Sequence, residues 1–163
     1  MRKIILSALL CCGSGIWTFG ATYKIPPEKP IATVTIPDKW RSKELGEGME
    51  ASSADGALRV LVVPVEGTKI TETMGEAMRY LRGTGGITVN PDSLKNEPGK
   101  LNGMDVRQIT WQGKDKNGDV KISFTILFIA EKKPLLVARW GSPNAEKKHQ
   151  AELKEMLKSI RKA

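Results

Sequence analysis

Three stretches between Gly103 and Trp140 constrain this chain most. Met104 to Gln112, Asp119 to Ala130 and Leu135 to Trp140 are strand-length and rich in apolar residues, and they are joined by Lys114-Asp115-Lys116-Asn117-Gly118 and by Lys132-Lys133-Pro134. Together they predict an antiparallel meander. Asn117-Gly118 is the strongest hairpin signal, because both residues tolerate the positive φ of a tight turn that matches strand twist. The middle strand sets Val120, Ile122, Phe124, Ile126 and Phe128 on one face. Its other face changes from Lys121, Ser123 and Thr125 to Leu127 and Ile129, so the far end is expected to be covered on both sides.

Upstream, Ile31 to Ile36 alternates Ala32, Val34 and Ile36 with threonines, a half-buried strand that Pro37-Asp38 ends, with Trp40 on the following turn. Glu47 to Ser52 and Ala57 to Val65 read as a hairpin across Ala54-Asp55-Gly56. Met74, Ala77, Met78 and Leu81 fall at i, i+3, i+4, i+7 and predict a helix from about Thr71 to Arg82. Thr73 with Glu76 would form its capping box, Thr71 is the other candidate cap, and Gly83, Gly85 and Gly86 end it. Ser142-Pro143 supplies the cap and first turn of a last helix, whose inner stripe is Ala145, His149, Leu153, Met156, Leu157 and Ile160. Strands and helices in this arrangement make one α+β domain.

The first residues set the compartment. Basic Met1-Arg2-Lys3, apolar Ile4 to Cys12 and the small residues of Gly13 to Ala21 have the three-part layout of a secretory signal. Cleavage after Gly20 fits best, since Thr18 and Gly20 are the small residues a signal peptidase needs, whereas a cut after Ala21 would place Phe19 at the third position. An uncleaved anchor is the competing reading, because no charge falls between Ile4 and Tyr23; the glycines and serines within the stretch weigh against it. Lipidation at Cys11 or Cys12 fits less well, because Leu10 and Cys11 stand where a small residue is required.

Loss of residues 1–20 leaves a chain of single-domain length, with no membrane span and no cysteine, so the core alone must hold the fold. Tyr23 to Pro30 contains three prolines, so 21–30 is expected to be a stiff spacer ahead of a domain at 31–163. Losing Arg2 and Lys3 takes the formal charge from +8 to +6. That is mild steering towards anions. It favours a protein or an anionic envelope component over nucleic acid as partner, with a solvated surface as the default.

Candidate chemistry is sparse. His149 is the only histidine and lies on the inner stripe of the last helix with no acidic or nucleophilic pair evident beside it, which marks it as a packed residue, not a general base. One histidine and no mature cysteine leave no basis for zinc or thiol chemistry, and no cofactor and no catalytic residue are expected. Asp115 to Asp119 resembles a calcium loop superficially, but its glycine comes two residues early and Ile126 stands where a bidentate glutamate belongs. Gly83-Thr84-Gly85-Gly86 follows a helix, whereas phosphate loops precede one. Two contact sets remain. Trp40, Trp111 and Trp140, near strand ends, would either line a ligand groove or pack the core. Lys147, Lys148 and Lys154 would meet an anionic partner.

Ile36-Pro37-Asp38-Lys39-Trp40 after a first strand, a helix after the first hairpin, Asn102-Gly103 before a long hairpin, and a closing helix with Lys158-Ser159-Ile160 together resemble the PsbP-like superfamily. That superfamily includes the photosystem II extrinsic protein P, the Ran-binding Mog protein and bacterial envelope proteins of the DcrB type. The resemblance spans Ile31 to about Arg161. It implies a central antiparallel sheet with helices on both faces, an α/β/α sandwich, and a non-enzymatic binding, assembly or adaptor role. The expected function is an exported module that engages a protein or envelope component through a sheet edge or helix groove. The alternative is a small-molecule or lipid carrier with an apolar pocket beneath the last helix.

Overall fold

The computed structural model of the chain describes residues 20–66, 69–130 and 133–163. The expected signal lies outside these apart from Gly20. The meander forms as expected. β7 (Met104–Asp115), β8 (Gly118–Ala130) and β9 (Lys133–Gly141) pair antiparallel, with Phe124 opposite Ile109 on one side and Ala138 on the other. β6 (Thr88–Leu101) adds to β7; β5 (Leu58–Pro64) adds to β9 and is followed outward by β4 (Gly48–Ser52) and β3 (Arg41–Leu45). The result is a seven-stranded antiparallel sheet in the order β3-β4-β5-β9-β8-β7-β6. A smaller sheet has the order β1-β2-β10, from β1 (Thr22–Ile25), β2 (Ala32–Thr35) and β10 (Arg161–Lys162).

Strand alternation sorts the large sheet's side chains into two cores. On one face Val120, Ile122, Phe124 and Ile126 are buried together with Ala77 and Leu81 of α1 (Ile70–Gly85). On the other, Leu127, Ile129, Leu135 and Val137 share a core with Ala145 of α2 (Pro143–Lys148) and with Leu153 and Met156 of α3 (Gln150–Ser159). Ile25, Val34 and Ile36 join that second core, so strands as well as helices cover this face. Phe128 departs from its expected place. The β8–β9 ladder shifts between Phe128 and Ala130, and Phe128 is 44% exposed.

Several boundaries differ from those the sequence suggests. Residues 21–30 are not a spacer outside the domain, because Thr22–Ile25 pairs with β2 and Ile25 is only 1% exposed. A proline removes a donor only where it stands, and this strand precedes all three prolines. Helix α1 starts at Ile70 with Lys69 at its N-cap and no side-chain cap, so neither Thr71 nor the Thr73–Glu76 box is used. It runs through Gly83 and Gly85 to Gly86, whose φ of 59° places it in the left-handed region that glycine adopts at low cost. Ser142 does cap the last helical segment, accepting the Ala145 N–H at 3.1 Å, but the segment breaks at His149 into α2 and α3.

The two Asn-Gly pairs behave differently. At 117–118 only Gly118 has positive φ, and the hairpin closes on Lys116-Asn117 with Asp115 Oδ1 accepting the Asn117 N–H at 2.7 Å. The turn with positive φ at both central residues is Asn102 (52°) and Gly103 (78°), between paired Leu101 and Met104. From this turn Asn102 Nδ2 donates to the carbonyls of Leu157 (3.1 Å), Lys158 (3.2 Å) and Ile160 (2.9 Å), satisfying the open end of α3. Asn102→Ala is therefore expected to cost about 1–2 kcal/mol, through a left-handed conformation alanine disfavours and through unpaired carbonyls. Asn102→Gly should recover the turn but not the cap. Equal urea midpoints for wild type and Asn102→Ala would show that the cap carries no stability.

Candidate functional site

His149 stands where α2 meets α3, 9% exposed, with a carboxylate on each ring nitrogen. Nδ1 lies 2.8 Å from Glu152 Oε2; Nε2 lies 3.0 Å and 3.1 Å from the two oxygens of Asp55, on the β4–β5 turn. This corrects the sequence reading, which found no acid beside this histidine. With an acceptor at each nitrogen the ring is arranged to carry two protons, and its pKa is raised, chiefly by the Asp55 hydrogen bond working against desolvation. The Asp55 carboxyl is held far below the usual carboxylate range by the Lys148 ammonium (2.8 Å), the Ser53 hydroxyl (2.6 Å), His149 and the Ala57 amide. Burial works to raise Glu152, but hydrogen bonds from Trp40 Nε1 (3.0 Å) and His149 outweigh it and lower its pKa. Both ring nitrogens of His149, both oxygens of Asp55 and Oε2 of Glu152 face other members of the cluster. Ser53, the one hydroxyl present, is fully buried and also accepts the Leu58 amide. The arrangement ties the β4–β5 turn to the C-terminal helices.

The opposite face of the sheet carries an open concavity. Helix α1 covers β9 and leaves a groove of about 400 Å³ beside β3, β4 and β5. Leu45, Leu61, Val63, Pro64 and Ala77 give it apolar walls; Glu47, Glu66, Glu72 and Glu76 stand around it. Tyr80 closes one end, with its hydroxyl donating to Glu50 Oε2 at 2.8 Å and its ring edge-on to Trp140. Glu50 in turn lies 3.7 Å from Arg59. Burial, followed by the Glu50 hydrogen bond, pushes the Tyr80 hydroxyl up, so it remains a donor at neutral pH.

The residues nominated from sequence do not converge. Trp40 is buried in the core beneath α3, whereas Trp111 and Trp140 are buried on the α1 face, Trp111 edge-on to Phe124. They line no common groove. Lys147 and Lys154 are exposed on the helices, and Lys148 is committed to Asp55. Beneath α3, Leu153, Met156 and Ile160 are buried in the core where a carrier pocket was expected. Sequence reasoning missed Asp55 and Glu152. The i, i+3 spacing from His149 to Glu152 was available as a signal; the link to Asp55, across 94 residues, was not.

No family model and no curated protein sequence matches the chain. Solved structures do. Cyanobacterial PsbP (CyanoP) from Synechocystis sp. PCC 6803 matches with a TM-score of 0.58 at 10% identity, over 94% of this chain and 97% of its own. LpqN from Mycobacterium tuberculosis, described as involved in cell envelope biogenesis, matches with a TM-score of 0.52 at 10% identity, over 86% and 89%. A structure from Bacteroides thetaiotaomicron matches with a TM-score of 0.56 at 11% identity; 88% of this chain aligns, spanning about half (48%) of that one. The likeness is one of fold: this chain has the PsbP-like fold. Among the described residues no helix is long and apolar enough to cross a membrane.

Proposed function

We propose that this chain uses its PsbP-like scaffold as an exported, non-enzymatic binding or assembly module that engages a protein of the cell envelope, with the groove beside α1 as its interface. The observation that carries this reading is the contrast between the two faces. The groove presents partly uncovered apolar side chains within a charged rim, as a docking surface does, while the His149 cluster is hydrogen-bonded to itself. The fold shared with LpqN, itself described as involved in envelope biogenesis, supports an envelope role. A photo-crosslinking residue at Thr73, in the groove, is expected to give a discrete adduct in envelope preparations, and the same residue at Lys154 none. Adducts from neither position, or from Lys154 alone, would refute the groove as interface.

Export rests on the signal layout and on a cleavage site compatible with the fold. Ala21 O accepts the Ile36 N–H at 2.9 Å, so a cut after Gly20 leaves the β1 ladder intact. Mass spectrometry of the exported protein is expected to find Ala21 at the N-terminus. An intact Met1 terminus in the membrane fraction would favour the anchor.

A further inference from the structure

We propose that the groove beside α1 takes a cationic segment of its partner, a short stretch in which lysine or arginine side chains flank an apolar one. This rests on the binding-module reading and adds the chemistry of the occupant. The sign of the rim is the argument. Four carboxylates, Glu47, Glu66, Glu72 and Glu76, stand around the groove against the single cation Lys69, in a chain whose net charge is +8. The surface charge as a whole would steer anions towards this protein, so a local reversal of sign selects against them at this one place.

The rim is also poorly neutralised. Glu66 lies 3.7 Å from Lys69 and Glu76 lies 3.9 Å from Arg79, both exposed i, i+3 pairs at the outer limit of pairing, which contribute little. Among the described residues, no lysine or arginine lies within ion-pair distance of Glu47 or Glu72. A cationic occupant would supply what these carboxylates lack. The half-buried apolar walls between them, Leu45, Val63 and Pro64, suit a leucine-sized side chain or the methylene stems of the basic residues. Tyr80, fixed by Glu50 and Trp140, gives the groove a rigid end against which register can be set.

The test uses the full exported chain and two labelled synthetic peptides, one alternating lysine with leucine and one alternating glutamate with leucine, read by fluorescence anisotropy. The lysine peptide is expected to bind, more weakly as salt rises. The variant Glu47→Lys with Glu72→Lys should reduce its affinity about tenfold or more; both sites are exposed, and the only stability cost expected is a small drop in the thermal midpoint from reversing Glu72 in the first turn of α1. Lys154→Glu should leave binding unchanged. Equal binding of the two peptides, or binding indifferent to Glu47→Lys with Glu72→Lys, would overturn the cationic assignment. So would failure of the lysine peptide to bind while the Thr73 crosslink still captures a partner, and the binding-module reading would then survive. Loss of both would sink the two together. Concentration-dependent sedimentation abolished by the same double variant would show the occupant to be a second copy of this chain and overturn the proposal of a foreign segment.

Discussion

Phe124→Ala is expected to lower the stability of the domain by about 3–5 kcal/mol, a large fraction of what holds a domain of this size folded. The ring is 0% exposed, lies edge-on to Trp111 at 5.2 Å, and is flanked in the ladder by Ile109 and Ala138. A sheet held by hydrogen bonds on both sides of β8 cannot collapse into the space a missing phenyl leaves, so the cavity term adds to the lost transfer energy. Lys121→Ala, three residues away with its side chain at the surface, is the control. Its partner Glu146, at 2.9 Å, is half-buried but keeps Arg139 at 3.4 Å and so is not left unpaired, and the loss should stay near or below about 1 kcal/mol. Urea midpoints measure both; comparable losses would mean that Phe124 does not anchor the core.

His149→Gln is expected to cost about 2 kcal/mol near pH 6, where the cluster is fully charged, and less on either side. The His149 pKa is raised in the folded state, so its contribution is complete below the ordinary histidine value near 6.5 and fades as pH climbs through the raised one. Asp55 and Glu152 are lowered, so theirs is present above the ordinary carboxylate values near 4 and is lost as pH falls. Lys148 and Lys39 add positive charge near the carboxylates, and the hydrogen bond to Asp55 raises the Lys148 pKa. Denaturation of wild type and variant at pH 2, 6 and 9 should show the widest gap in the middle. A gap independent of pH would refute the doubly bonded imidazolium.

What the sequence discloses follows from which forces are periodic. Val120 to Ile126 alternate because one face of β8 is a core, and that period survives in the linear chain. β3, reading Arg-Ser-Lys-Glu-Leu, and β6, with Pro91 and Pro98, are edge strands whose exposed side chains feel no such constraint, so neither shows the pattern of a strand. β6 even tolerates a ladder shift between Asn90 and Lys95 with Leu94 exposed. The groove was hidden for a related reason. Its rim glutamates come from the β3–β4 turn, the end of β5 and one side of α1, and only the fold brings them together. Trp40 and Asp55 show the same limit from the opposite side: each looked like an isolated feature, and each is fixed by a partner on the C-terminal helices.

The small sheet joins the two ends of the described chain. β10 pairs Arg161 with Thr33 and Lys162 with Ala32, and Ala163 donates its amide to Ile31. The β1–β2 hairpin is synthesised well before α3, so Ile25, Val34 and Ile36 acquire their cover of Leu153, Met156 and Ile160 only once that helix has been made. Contacts that span nearly the whole chain are slow to form, because closing so long a loop costs entropy before any contact repays it. An apolar hairpin with a bare edge waits meanwhile. Synthesis from one end therefore imposes an interval of aggregation risk on this fold, and a holding chaperone that shields extended apolar strands would shorten it.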